Sequence, residues 1–322
     1  MRACLSRIVI GIGAFLGLTP IADAQVRMPK LIRIIVPFSA GASNDAIARA
    51  MAVPLAKRLE SSVVVENKAG AAGVIGADAV ARSPRDASVL LLTSSTFLTA
   101  AATQPRLPYD PIVSFSPVAM VGQGPLLLAA SSSTPFKTAA ELLSAARARP
   151  GQLTYGSAGV GSVGHLATEM LDAAAKVRMA HVPYKGAANA AIDLAGGQIH
   201  VMVSSYSTLS GLIRAGKVRA LAVTSKQPHP AFPDLPPLTS TVPGFSIEIW
   251  VGVLAPAGTP TAATERLNRE INEISASPEL AILLEPDGTV PVAMSPASFA
   301  ARVKQELVQW KQIANDRNIV AE

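Results

Sequence analysis

Cysteine is almost absent from this chain of 322 residues, and the only one, Cys4, lies in a leader-like N-terminus. The segment after that leader has no thiol, which excludes disulfides, cysteine metal sites and a cysteine nucleophile. Metal ligands are scarce as well. His165, His181, His200 and His229 show no H-E-x-x-H spacing, so neither a metal nor another cofactor is expected. No paired carboxylates flank the glycine-rich turns, which removes two-carboxylate acid–base chemistry. Aromatic residues make up 4% of the chain and no basic run is interleaved with them. The formal net charge is +6 but scattered, so no nucleic-acid partner is expected. Beyond the leader, no apolar run approaches the roughly 20 residues that a membrane span needs.

The leader itself is legible. Arg2 and Arg7 precede the apolar run Ile8–Leu18, and Ala22-Asp23-Ala24 follows as an A-x-A cleavage site. This is the grammar of a secretory signal peptide cut near Ala24/Gln25, so the product is expected to be exported and periplasmic. Cys4 precedes the apolar run, which argues against a lipid anchor. The remaining length suits two domains of roughly 100–200 residues. Apolar residues are 49% of the sequence, mostly Ala, Val and Leu, and strand-like and helix-like segments alternate. That alternation predicts an α/β fold with parallel strands joined by crossover helices.

One stretch organises the rest: Leu153–His165, LTYGSAGVGSVGH. A short strand runs into small residues, and a helix then begins with Leu166, Met170 and Leu171 on its apolar face. Such a turn leaves main-chain N–H groups unpaired at the positive end of a helix dipole, a seat for an anion. A second turn of this kind lies at Ile32–Asp45, IRIIVPFSAGASND. Two such seats predict a clamp on an acidic ligand.

Gly159-x-Gly161-x-x-Gly164 also matches a dinucleotide fingerprint, but no acidic residue ends the following strand, which reads Met179–Val182 and continues as Pro183-Tyr184-Lys185. Val160 stands where a nucleophile elbow needs glycine, although Ser162 and His165 leave an exported serine hydrolase as the rival reading. Ser162 is otherwise a helix N-cap, and His165 either donates to a bound carboxylate or packs. Ser94-Ser95 and Ser204-Ser205 end predicted strands, where α/β proteins bind ligands, and are candidate ligand-facing pairs.

In chain order, strands are expected at 32–38, 63–66, 89–93, 118–121, 126–130, 153–155, 179–182, 199–203, 220–223 and 245–254. Helices are expected at 43–59, N-capped by Ser43 and bent near Pro54, and at 77–83, 139–147, 166–174, 187–195, 209–215 and 261–275. Thr138 and Glu141 form a capping box for the third of these helices. Ser295 caps a last helix, with Phe299, Val303, Leu307 and Trp310 as an apolar stripe expected to pack on the first lobe.

The segments RIIVPFSAGASND, VVVENKAGAAGVIGADAVA, LPYDPIVSFSPVAMV, LTYGSAGVGSVGHLATEML, HVPYKGA, DLAGGQIHVM, IRAGKVRALAVTS and WVGVLAPAGTP occur in this order. Together they resemble the extracytoplasmic solute receptors of tripartite tricarboxylate transporters, the Bug-type binding proteins, over nearly all of the exported chain. The resemblance implies a two-lobed type II periplasmic-binding-protein fold with crossing hinge strands and a central ligand cleft. It divides the chain into signal peptide 1–24, first lobe 25–124, second lobe 125–225 and a return to the first lobe over 226–322. It implies capture of a small carboxylate by a monomer and transient docking on membrane permease subunits, with a sensor system as an alternative client.

Carried over residue by residue, the family's first ligand loop falls on Phe38, Ser39, Ala40, Gly41, Ala42, Ser43 and Asp45. Its second falls on Ser157, Ala158, Gly159, Gly161, Ser162 and His165. Ser94 and Ser204 complete the expected site. The chain departs from the family pattern in its first loop, at Val74 in the Gly73 turn, and at Ser204, where an acidic residue is common. The last departure implies a ligand without a cationic group.

Overall fold

The computed structural model describes residues 27–38 and 40–321. The leader and its cleavage site, and Ser39 of the first loop, lie outside the described residues. The elements run β1 (Leu31–Val36), α1 (Ser43–Leu59), β2 (Ser62–Asn67), α2 (Val74–Ala81), β3 (Val89–Ser94), α3 (Thr96–Thr103) and β4 (Phe115–Pro125). The second group is β5 (Leu127–Ser131), α4 (Ala139–Ala148), β6 (Thr154–Ser157), α5 (Val163–Ala175), β7 (Ala180–Pro183), α6 (Ala187–Ala195), β8 (Val201–Ser204), α7 (Tyr206–Arg214) and β9 (Val218–Val223). The chain closes with β10 (Glu248–Pro256), α8 (Thr261–Ser275), α9 (Pro278–Leu284), β11 (Val290–Pro291) and α10 (Pro296–Asp316).

These strands build two mixed sheets, ordered β11-β4-β10-β3-β1-β2 and β7-β6-β8-β5-β9. Each sheet carries the same unit. In the first, β1 lies between β2 and β3 with all three parallel; in the second, β6 lies between β7 and β8 in the same way. Successive crossovers therefore leave on opposite sides of β1 and of β6. That creates a topological switch point at the carboxyl ends of β1/β3 and of β6/β8, where α/β proteins place ligands. The glycine-rich turns follow β1 and β6, and the serine pairs end β3 and β8, so the two halves present equivalent loops.

The central strands of the first lobe bury apolar side chains on both faces. Ile32, Ile34, Leu90 and Leu92 pack toward α1 and α8, while Ile35 and Leu91 join the opposite cluster with Phe97 and Phe299. Such two-sided burial is what a sheet covered by helices on both faces requires. α1 runs unbroken through Pro54, and its N-cap is Ala42 rather than Ser43, which is its first helical residue. α10 buries its expected stripe, with Phe299 edge-on to Trp250 at 5.2 Å. It packs not only on α3 and β4 of the first lobe but also on α5 of the second.

The lobes are joined where Leu126 crosses from β4 to β5 and where the 224–247 segment returns to β10. Thr224 ties the two crossings together. Its Oγ1 accepts from the Leu126 N–H at 2.7 Å and donates to the Ile247 carbonyl at 2.7 Å, in a fully buried position. Thr224→Val keeps the shape but strands one donor and one acceptor. It should cost about 2–5 kcal/mol in chemical denaturation; a loss below 0.5 kcal/mol (roughly the noise for surface changes) would contradict this account of the hinge.

Candidate functional site

A cavity of about 370 Å³ lies between the sheets. From the first lobe it is lined by Phe38, Ala72, Ser94, Ser95, Thr96 and Ile249, and at the crossing by Leu126. The second lobe contributes Ala158, Val160, Ser162, Val163 and Gly164, then Ala187, then Met202, Val203, Ser204, Ser205 and Thr208. None of these side chains is ionisable. A larger groove of about 560 Å³ runs behind the hinge along α10, between Met170, Ile247 and Trp310, and contains none of the turn residues.

The second-lobe turn is held from behind by Ser157 and His165, which do not line the cavity, and by Ser162, which does. Ser157, fully buried at the end of β6, accepts from the Gly159 N–H at 3.1 Å and lies 2.7 Å from His181 Nε2. Ser162 donates to the Gly159 carbonyl at 2.7 Å and caps α5 by accepting from the His165 N–H at 3.4 Å. The Gly161 N–H donates to His165 Nδ1 at 3.2 Å. What remains is informative: among the described residues, no hydrogen bond engages the N–H groups of Ala158, Val160, Val163 or Gly164. All four belong to residues that line the cavity. Gly164 also has to be glycine, because a Cβ there would sit 2.6 Å from the Val203 carbonyl oxygen.

Helix ends reinforce this arrangement. α3, α5, α6 and α7 all begin at cavity-lining residues: Thr96, Val163, Ala187 and, through Ser205, Tyr206. Each helix N-terminus carries roughly half a positive charge, so the field in the cleft favours an anion although no charged side chain lines it.

Five of the expected residues, Phe38, Ser94, Ala158, Ser162 and Ser204, line the cavity. Ala40, Gly41, Ala42, Ser43 and Asp45 do not, and neither do Ser157, Gly159, Gly161 and His165, which shape the turn from behind. Asp45 holds the first loop together: its carboxylate accepts from the Gly41 N–H at 2.8 Å, from Arg49 at 3.0 Å and from Asn67 at 2.9 Å. The Arg49 and Gly41 bonds keep its carboxyl down at about 2. The apolar lining by Leu126, Val160, Met202 and Ile249 was not legible in sequence, since it exists only where the two crossovers meet.

Ser162 and His165 are not a nucleophile and its base. The Ser162 hydroxyl points to the Gly159 carbonyl, and the His165 ring nitrogen Nδ1 is taken by Gly161. His165 instead stacks on His181, with ring centroids 3.8 Å apart, and His181 stacks on Tyr155 at 4.9 Å. Burial pushes His165 below the ordinary histidine value; burial together with the neighbouring His165 pushes His181 down to about 4. Both rings are neutral at pH 7.

Behind them Asp172, fully buried on α5, is pushed up to about 7 by burial, with its Oδ2 accepting from the Met179 N–H at 2.7 Å. The two groups act on stability with opposite signs. His181 takes up protons more readily when unfolded, so its contribution is lost as the pH falls from 6.5 toward 4. Asp172 keeps its proton more readily when folded, so its contribution is gained as the pH falls from 7 toward 3.8. Asp172→Asn removes that gain. Between pH 7 and pH 5 the variant should lose on the order of 1–2 kcal/mol more than wild type, and parallel stability curves would contradict it.

The sequence model of the tripartite tricarboxylate transporter family receptor matches residues 47–319. BugT from Bordetella pertussis is 33% identical over 318 residues, covering 97% of this chain and 98% of its own length. A Pseudomonas protein from the tcbD-tcbE intergenic region is 37% identical over 281 residues, covering 87% of this chain and 84% of that protein. Among solved structures, an R. palustris protein with adipate superposes with TM-score 0.79 at 32% identity, over 90% of this chain and 98% of that one. MatC from Rhodopseudomonas palustris with bound malate superposes with TM-score 0.76 at 29% identity, over 88% and 98%.

Proposed function

Because the chain belongs to the tripartite tricarboxylate transporter receptor family, a family of solute receptors rather than enzymes, we propose that it captures a small organic acid without a cationic group. The inter-lobe cavity is its seat, and the closed form delivers the acid to membrane permease subunits. One observation carries the reading: four N–H groups without a hydrogen bond among the described residues belong to residues that line a cavity with no ionisable side chain. A carboxylate finds donors and helix N-termini there, whereas an ammonium group finds neither a carboxylate partner nor a favourable field. Phe38, Leu126, Val160, Met202 and Ile249 supply an apolar wall for the ligand's carbon body, and the hydroxyls of Ser94, Thr96, Ser204 and Thr208 suit a hydroxyl or second acid group.

Closure is a shift between pre-existing open and closed arrangements about the Leu126–Thr224–Ile247 junction. In this reading the chain is exported after cleavage near Ala24/Gln25 and works as a monomer in the periplasm. Thermal-shift measurements on the purified protein with adipate, malate, aspartate and glutamate test the proposal. Plain acids should raise the melting temperature and the amino acids should not; stabilisation by the amino acids alone would overturn it.

A further inference from the structure

The second-lobe turn is connected to the first lobe through a chain of side chains that the ligand site does not use. Arg317, just past the end of α10 in the first lobe, places Nε 2.5 Å from Glu169 Oε2 on α5 of the second, with Nη2 3.8 Å from Asp172. The other oxygen of Glu169 accepts from the Tyr155 hydroxyl at 2.6 Å. Tyr155 stacks on His181 and His181 on His165, whose Nδ1 receives the Gly161 N–H. Gly161 returns the contact to the first lobe. A Cβ there would lie 2.4 Å from Thr103 Oγ1 and 3.6 Å from Ala321, and the Ala321 N–H in turn donates to the Thr103 carbonyl at 2.9 Å.

The circuit is closed: the C-terminal segment holds α5 at Arg317 and lies beside Gly161 at Ala321. Every step of it is buried or half-buried, which strengthens its charge-assisted bonds relative to surface pairs.

We propose that Arg317 is a positioning residue for the ligand turn, a cross-lobe latch that acts through Glu169 and Tyr155 to hold the histidine stack against Gly161. The ion pair clamps Glu169 in the rotamer that Tyr155 needs, and Tyr155 fixes the plane on which His181 and His165 lie. Without the guanidinium, Glu169 is free to turn to solvent, the stack loses its backing, and the Gly161 N–H loses a fixed acceptor. Rigidity of the four outward-facing N–H groups then falls, and with it the preorganisation on which tight binding depends. The inference rests on reading the 157–164 turn as the ligand seat.

The test uses the ligand-free full chain, so that failure of the latch and failure of the receptor reading are told apart. Hydrogen exchange of the hydrogen-bonded turn amides of Gly159, Gly161 and Ser162, and histidine NMR titration, are measured for wild type, Arg317→Gln, Arg317→Lys and Glu169→Gln. Arg317→Gln should speed exchange in the turn about tenfold or more. It should also lower the His181 titration midpoint, because Glu169, whose negative charge favours the protonated ring, turns away to solvent; Asp172, Arg178 and Asp316 are the other charged groups near Glu169, Arg317 and His181.

Arg317→Lys should restore most of both effects. Glu169→Gln, which can still accept from Tyr155, should loosen the turn as well, and the double variant should be no looser than the worse single one. Should Arg317→Gln fail to fold, Glu169→Gln alone carries the test. Unchanged exchange and titration in Arg317→Gln, or additive losses in the double variant, would overturn the latch. A loosened turn in a chain whose bound acid, located crystallographically, lies away from residues 157–164 would leave the latch standing and overturn only the reading of that turn as the ligand seat.

Discussion

Ser204→Asp should weaken binding of an organic acid by on the order of 10²–10³. Ser204 ends β8, is 8% exposed, and lines the cavity beside Ser205 and Thr208. A carboxylate there would share the cavity with the ligand acid, with no cation among the lining side chains to offset it; a separation of about 5 Å serves for the magnitude. At the effective dielectric of a protein cleft this repulsion is about 3–4 kcal/mol, which gives the stated loss. The same change supplies the partner an ammonium group lacks, so amino acids should begin to stabilise the variant. Calorimetric titration with adipate, malate and glutamate reads both effects, with circular dichroism confirming the fold. Unaltered acid binding would mean that Ser204 does not face the ligand.

Gly161→Ala carries the second large effect. Gly161 adopts φ +79, a conformation that costs an L-residue about 1–2 kcal/mol. The added Cβ would also lie 2.4 Å from Thr103 Oγ1, so the two lobes cannot approach as they do in the native fold. Overpacking of this kind costs a further 1–3 kcal/mol or so. Acid affinity should fall about a hundredfold, and Thr103→Ala in the same chain should recover part of it. The recovery isolates the steric share, because Thr103 Oγ1 otherwise only back-bonds to the Thr99 carbonyl. Wild-type affinity in Gly161→Ala would contradict the claim that this turn abuts the first lobe.

Much of the fold was legible because its signals are local. Residues 32–38 read as an apolar strand and 89–93 as a buried one, each within two residues of the observed bounds; Thr261–Ser275 read as an amphipathic helix with the bounds it has, and Ser162 and Ser295 read as caps that the structure uses. α3 was not legible. Its sequence, TFLTAAAT, is buried nearly all round and follows two serines, so it offers no helical stripe and reads as a strand running into a loop. Ser43 read as a cap, but Ala42 holds that position, without a side-chain bond; the loop ahead of it is fastened by Asp45 instead.

The site divides along the same line. The glycine-rich turn after β6 could be located from spacing, but which of its residues face the cavity could not. Ser157 is expected in the ligand loop and His165 either to donate to a carboxylate or to pack; both are buried, because each is claimed by a partner fixed through tertiary structure. His181 reaches both only through the β6–β7 pairing, which sets Tyr155 opposite His181. Asp45 is similar: Arg49 is one helical turn away and foreseeable, whereas Asn67 arrives from the end of β2.

The most direct test of the central claim is a crystal structure of the protein with a stabilising acid bound. The account predicts one carboxylate within hydrogen-bonding distance, directly or through one water, of the main-chain N–H groups of Ala158, Val160, Val163 or Gly164, with no lysine or arginine in contact with it. An acid held by a basic side chain, or seated in the groove behind the hinge, would contradict it.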